Sequence, residues 1–282
     1  MYRSLVFAGG GCRCFWQAGF LEVAAPALEI RPAEVGAVSA GAAMACMVYG
    51  GMTRVGLAAF KKAIAGNPRN AYWSNLLRGK PVFPQAQLYR ETMLGVLDAT
   101  GLDALHAGPD IRVMIARTPA LLGPRTSLAA AALIDQAQRL LARQLHPQFA
   151  RRAGFDGEVI SIRQCRTPQD LADLILHSSC TPPFTPYYRR DGRPTLDGGL
   201  IDSVPVETVN DGEPTLVLLT RPHAEAEIPR VAGRTYLWPS EEIPVSKWDY
   251  TSPEKVQATF DLGCRDGERF VRFADTLERQ AV

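Results

Sequence analysis

Residues 3–13 read RSLVFAGGGCR, and residues 34–41 read EVGAVSAG. Leu5 to Ala8 is an apolar run too short for a helix, and it ends in Gly9, Gly10 and Gly11. Such a run reads as a buried strand entering a tight turn. Residues 14–29 then space Phe15, Trp16, Phe20, Leu21, Val23, Ala24 and Leu28 as a buried helix, with Pro26 as a kink or an early stop. Glu34–Val38 is a second short strand. Ala40 to Tyr49, rich in Ala and Met and closed by Gly50 and Gly51, is a second helix. Strand, glycine turn, helix, strand, serine, helix is the opening of an α/β sheet.

The same alternation continues outward. Thr53 is expected to cap a helix reaching Ala65, and Gln87–Leu97 to form another. Between them, Gly66 to Pro84 is a long loop around Tyr72 and Trp73. Strands are predicted at Asp110–Ala116, Ile160–Ile162 and Thr215–Leu219. Helices are predicted at Pro168–Ser178, capped by Thr167, and over Pro253–Leu277. A long helix is predicted from about Ser127 to His146, with Leu133, Ile134, Ala137, Leu140, Leu141 and Leu145 on one face. It has two readings. In one, Arg139, Arg143, Arg151 and Arg152 meet anionic headgroups. In the other, the helix packs on the core and its basic face is solvated. Alternating elements favour a mostly parallel sheet with helices on both faces.

The 282 residues are 46% apolar, enough for a large core without staples. With no repeat and no clear linker, 1–282 is read as one domain. Thirty-one Lys and Arg against 29 Asp and Glu leave a net charge of +2, without the basic excess of a nucleic-acid binder. Only four apolar residues precede the glycines, fewer than a secretory signal uses. No run is long enough to span a bilayer. The cysteines at 12, 14, 46, 165, 180 and 264 include no CxxC pair. That favours reduced thiols in a cytoplasmic setting and no zinc site.

Three segments carry chemistry. Backbone N–H groups of the glycine loop, at a helix start, form a nest for negative charge. Ser39, between an apolar strand and a helix of small residues, has the layout of a nucleophile elbow. Ala37 stands where G-x-S-x-G has its first glycine, and Gly36 lies one position earlier; Gly41 holds the last. In Leu196-Asp197-Gly198-Gly199, the glycines let the carboxylate project from a tight turn. Gly9 and Gly11 also fit the first half of G-x-G-x-x-G, the dinucleotide fingerprint, but Cys14 holds its third glycine and no acidic residue is well placed after the second strand. The order Ser39, Asp197, His223 would also suit a histidine triad, although that fold places its nucleophile later in the chain. Cys12 is either a redox-sensitive thiol or ordinary filling.

Together the GGGCR loop, the VSAGAA elbow and the block from His177 through Pro186 to Leu196-Asp-Gly-Gly-Leu200 and Pro205 resemble the patatin-like phospholipase family. The resemblance is carried by residues 3–50 and 167–206; the variable 66–160 region is a candidate lid. It implies a three-layer α/β/α fold with a mostly parallel central sheet. It implies Ser39 as nucleophile, Asp197 as its base, and the N–H groups of Gly10, Gly11 and Cys12 as the oxyanion hole. Gly9, Arg13, Ala37, Gly41, Gly198 and Gly199 are then elbow and support residues. The implied reaction is hydrolysis of phospholipid or lysophospholipid esters at a membrane or micelle surface, with no cofactor, no metal and no nucleic acid. Peripheral membrane contact follows from that substrate. A catalytically silent lipid-binding scaffold of the same fold is the alternative.

Overall fold

The computed structural model describes residues 2–119, 145–146, 149–210 and 212–280, with side chains to 274. Its strands are β1 (Ser4–Phe7), β2 (Glu34–Val38), β3 (Asp110–Arg117), β4 (Asp156–Ser161), β5 (Arg189–Arg190), β6 (Arg193–Asp197), β7 (Thr215–Leu218) and β8 (Arg234–Leu237). Its helices are α1 (Phe15–Ala27), α2 (Ala40–Tyr49), α3 (Thr53–Ala65), α4 (Gln85–Val96), α5 (Ala99–Ala107), the single turn α6 (Phe149–Arg152), α7 (Pro168–Ser178) and α8 (Pro253–Gln280). The strands form one mixed sheet in the order β5-β6-β3-β2-β1-β7-β8, with β4 also on β3. The run β3-β2-β1-β7-β8 is parallel, and β4, β5 and β6 are antiparallel to their neighbours. The chain is therefore an α/β protein with a mostly parallel central sheet flanked by helices.

Both faces of the sheet are buried, as a parallel sheet requires. Leu5, Phe7, Val35 and Ala37 point into a core shared with Leu57 and Phe60 of α3, Leu171 and Ile175 of α7, and Phe260 of α8. Their neighbours point the other way. Val6 and Ala8 meet Val204 and Val206, and Val38 and Met114 meet Ala150 of α6.

Predicted and observed boundaries coincide for β2, α2 and α7, and at the C-terminal end of α3. At α7 the sequence signal is strongest, because Thr167 and Asp170 form a reciprocal capping box. Thr53, expected to be a cap, is instead the first residue of α3, and its hydroxyl makes only a 3.5 Å contact with the Met47 carbonyl. Pro26 does not stop α1 before its last turn; it removes one donor to the carbonyl four residues back, and the helix ends one residue later at Ala27. Beyond the reading lie α5, the single turn α6, β5, β6 and β8. The predicted helix over 127–146 lies outside the described residues except for Leu145 and His146, which form a bend. Arg139 and Arg143 fall outside with it, whereas Arg151 is engaged by Glu207 and Asp156. No helix among the described residues is long and apolar enough to cross a membrane.

Candidate active site

Strand β3 brings the two ends of the site together. Its residues 112–117 pair with β4 along one edge. The other edge is shared: β2 runs parallel along it to the pair Val38–Met114, and β6 runs in antiparallel to the pair Asp197–Ile115. The two strands thus meet head to head, one residue apart in register. The residue after β2 is Ser39, and the last residue of β6 is Asp197. Ser39 Oγ donates to Asp197 Oδ2 at 2.7 Å.

Ser39 holds φ 55° and ψ −136°, a left-handed conformation that is strained for a residue with a side chain. Its surroundings enforce the turn. The Ser39 N–H donates to Ser178 Oγ at 2.8 Å, and Ser178 Oγ donates to the Met114 carbonyl at 2.6 Å. Ser178 is fully buried at the end of α7. The elbow also needs close packing. A side chain at Gly41 would meet the carbonyl of Ala8 at 2.6 Å. Ala37 has no positive φ and is fully buried, so alanine fits there. The displaced Gly36 has its own reason, since a Cβ there would collide with the Thr208 hydroxyl.

Asp197 is held from both oxygens. Oδ2 also accepts from Thr181 Oγ1 at 3.3 Å, and Oδ1 accepts from the Gly199 N–H at 2.8 Å. Its own N–H donates to the Cys180 carbonyl at 2.6 Å. Gly198 lies where a Cβ would strike the Met114 carbonyl. The DGG turn is thus an orienting device for the carboxylate.

The glycine loop follows β1 and lies beside the serine, where a Cβ added at Gly9 would sit 3.4 Å from Ser39 Cβ. The Gly9 N–H donates to the Ser203 carbonyl, whereas the N–H groups of Gly10 and Gly11 have no hydrogen-bond partner among the described residues. Cys12 differs from expectation: its N–H donates to the Lys247 carbonyl at 3.2 Å. The loop from Trp238 to Thr251 supplies that carbonyl and was not legible as part of the site. Three free donors are therefore corrected to two. The Cys12 thiol donates to the Asp249 carbonyl, and burial raises its pKa far above the ordinary thiol value, so it is filling and not a reactive sensor. Arg13 turns back and donates Nε to the Gly10 carbonyl at 3.3 Å, bracing the loop. Gln17, fully buried and unremarked in the sequence, donates to the carbonyls of Ala8 and Leu218 and fixes the loop to β7.

None of the four histidine rings has a hydrogen bond to Ser39 or Asp197 among the described residues; three are engaged elsewhere, and the buried His106 Nε2 has no partner. His223 contacts Arg221 and Glu227; burial, then Arg221, lowers its pKa. His146 contacts Asp202 and Tyr236, His177 contacts Thr195, and Arg163 donates to the His106 carbonyl. The triad order Ser39, Asp197, His223 is therefore not assembled. The dinucleotide reading fares no better, since β2 passes directly into Ser39 without a carboxylate. Among the described residues, no group of three or more His, Cys, Asp or Glu side chains could hold a metal ion.

Beside the elbow a narrow apolar cavity of about 70 Å³ opens between Gly11, Ala40 and Met44 and runs along Met47, Phe60 and Met93. Unbranched methionines suit a wall that must adapt to a flexible guest.

No curated protein matches the chain in sequence. Among solved structures it is similar to the crystal structure of VipD from Legionella pneumophila, with a TM-score of 0.51 and 12% identity over 96% of this chain and 67% of that one. That likeness concerns the fold. The model of the patatin-like phospholipases matches residues 5–209, which include Ser39, Asp197 and the glycine loop, and the chain belongs to this family of lipid acyl hydrolases.

Proposed function

We propose that the chain cleaves carboxylic esters of phospholipids or lysophospholipids through an acyl-enzyme on Ser39, with Asp197 as the base. The observation that carries this reading is the 2.7 Å Ser39–Asp197 hydrogen bond at a strained elbow that adjoins an apolar cavity. Asp197 Oδ2 takes the Ser39 proton as Oγ attacks the ester carbonyl. The Gly10 and Gly11 N–H groups receive the oxyanion, and one such donor contributes about 3–4 kcal/mol to the transition state. The N-terminus of α2 adds a favourable dipole behind the serine. Collapse expels the alcohol, which leaves with the proton held by Asp197. Water then attacks the acyl-serine, giving its proton to Asp197, and the fatty acid leaves as the proton returns to Ser39 Oγ. During both steps the apolar cavity holds the acyl chain.

Labelling by a fluorophosphonate tests the dyad. Wild type is expected to label, and Ser39→Ala and Asp197→Asn to lose at least about 100-fold in labelling rate. A folded wild type that fails to label, with or without detergent, would support the silent scaffold instead. A panel of phospholipid, lysophospholipid and triacylglycerol esters then separates the substrate classes.

A further inference from the structure

Residues 35–90 contain seven Lys and Arg and no Asp or Glu. The elbow lies at one end of this stretch. Towards the other is a 3-10 turn, Trp73–Arg78, closed by Gly79 in the left-handed conformation at φ 63°. Its apolar side chains point outward: Trp73 is 68% exposed, Leu76 70% and Leu77 93%. Arg69, Arg78 and Lys80 flank them, all exposed and without an ion pair to any described residue. Isolated exposed leucines are ordinary, but a tryptophan and two leucines on one turn ringed by cations are not.

The turn is rigidly built. Tyr72 N–H donates to the Val82 carbonyl, and Asn75 Nδ2 to the Pro81 carbonyl. A ladder of rings ties it to the rim of the active site. Trp73 packs edge-on to Phe83 at 5.9 Å, Phe83 packs on Phe184 at 4.8 Å, and Phe184 stacks on Trp248 at 4.6 Å. The Phe184 N–H donates to the carbonyl of Thr181, which touches Asp197, and Trp248 follows Lys247, whose carbonyl accepts from Cys12. A second tie runs from Tyr72 OH to Asn67, and from Asn67 Nδ2 to the carbonyl of Tyr250, a residue of the cavity wall.

We propose that the Trp73–Lys80 turn is a docking surface for an anionic phospholipid bilayer, inserting Trp73, Leu76 and Leu77 among the headgroups while Arg69, Arg78 and Lys80 meet lipid phosphates. An aromatic and leucine tip with a cationic rim matches an interface that is apolar below and negative above. Continuity with the site rim places that interface where ester substrate would enter. The choice of a lipid occupant rests on the proposed hydrolase function; the docking itself requires no turnover.

The test is flotation of the full chain with vesicles of phosphatidylcholine alone and of phosphatidylcholine containing one phosphatidylglycerol in three, run in wild type and in Ser39→Ala. Binding is expected to favour the anionic vesicles, and equally in both proteins. Arg78→Gln with Lys80→Gln is expected to weaken it about 30-fold, at roughly fivefold per cation. Leu76→Ser with Leu77→Ser is expected to reduce it at least tenfold. Brominated lipid is expected to quench a tryptophan signal that disappears in Trp73→Phe. Hydrolysis of a soluble short-chain ester is expected to be unchanged in all three surface variants, which reports that they fold. Equal binding to neutral vesicles, binding indifferent to both double variants, or a concentration-dependent dimer abolished by Leu76→Ser with Leu77→Ser would each overturn the proposal. Loss of fluorophosphonate labelling with flotation intact would instead strike only at the hydrolase reading.

Discussion

At the scale of single residues, the site depends on a serine that assigns no chemistry to itself. Ser178 accepts from the strained Ser39 N–H and donates to the Met114 carbonyl, spanning the junction where β2 and β6 meet. A left-handed backbone at a non-glycine residue costs about 1–3 kcal/mol, so it persists only where neighbours over-determine it. Ser178→Ala removes the acceptor and leaves a buried N–H and a buried carbonyl unsatisfied. It is expected to lower stability by about 1–3 kcal/mol. It is also expected to lower kcat on a soluble ester by about 10- to 100-fold, with KM changed less than about twofold, because Ser39, the proposed nucleophile, is displaced while the apolar cavity is untouched. Urea unfolding and steady-state kinetics on the same preparation check both halves. A stability loss with kcat intact would reduce Ser178 to packing. Nothing in the local sequence around Ser178 announces this role, whereas Ser39 and Asp197 are announced by the small residues and glycines that their turns demand.

At the scale of elements, α1 and α8 lie unusually close. A Cβ at Gly19 would strike the Phe260 carbonyl, one at Gly263 the Trp16 carbonyl, and one at Gly267 would meet the Phe20 carbonyl at 2.7 Å. Trp16 Nε1 closes the contact by donating to Asp266 Oδ2 at 2.8 Å. Since α1 also carries Gln17 and Phe15, the pair supports the glycine loop and the cavity wall. Gly263→Val is expected to force the helices apart and lower stability by about 2–3 kcal/mol, read as the urea midpoint with an unchanged denaturant slope. A loss below about 1 kcal/mol would mean that α8 slides without cost. The elements also show what sequence reading reaches. The ends of β2, α2 and α7 are fixed by local chemistry, namely an apolar run, a glycine stop and a capping box. Strand β6 escapes because Arg193-Pro194-Thr195 offers no apolar alternation; it is a strand only because the edge of β3 beyond β2 is vacant. Strand β8 is likewise defined by its partner β7. Ser39 and Asp197 each stand in a local motif, but their meeting depends on register across 158 residues of chain, which no local pattern encodes.

Across the whole molecule, the six cysteines are free thiols, and all but Cys264 are buried. Burial pushes Cys14 and Cys46 up to about 12, and Cys165 and Cys180 up to about 11. For Cys46 the nearby Cys165 adds to burial, while at Cys14 Arg13 and Lys247 partly offset it. The consequence for stability has a definite sign. Below the ordinary thiol value of 9.0 both the folded and the unfolded chain hold these protons, and the native state keeps its full advantage. Above it the unfolded chain releases them while the folded chain retains them, so stability falls as pH rises towards about 12. Each such thiol contributes a slope of up to about 1.4 kcal/mol per pH unit in that window. Urea unfolding at about pH 8 and about pH 10.5 is therefore expected to show a steep alkaline loss, shallower in Cys46→Ala by up to that single-thiol slope. A thiol reagent at about pH 8 is expected to modify the half-buried Cys264 first, slowly because burial raises its pKa, and the other five only after denaturation. An alkaline slope unaffected by Cys46→Ala would place the titration elsewhere, on the other buried thiols or on the tyrosines Tyr89 and Tyr250 that burial also raises.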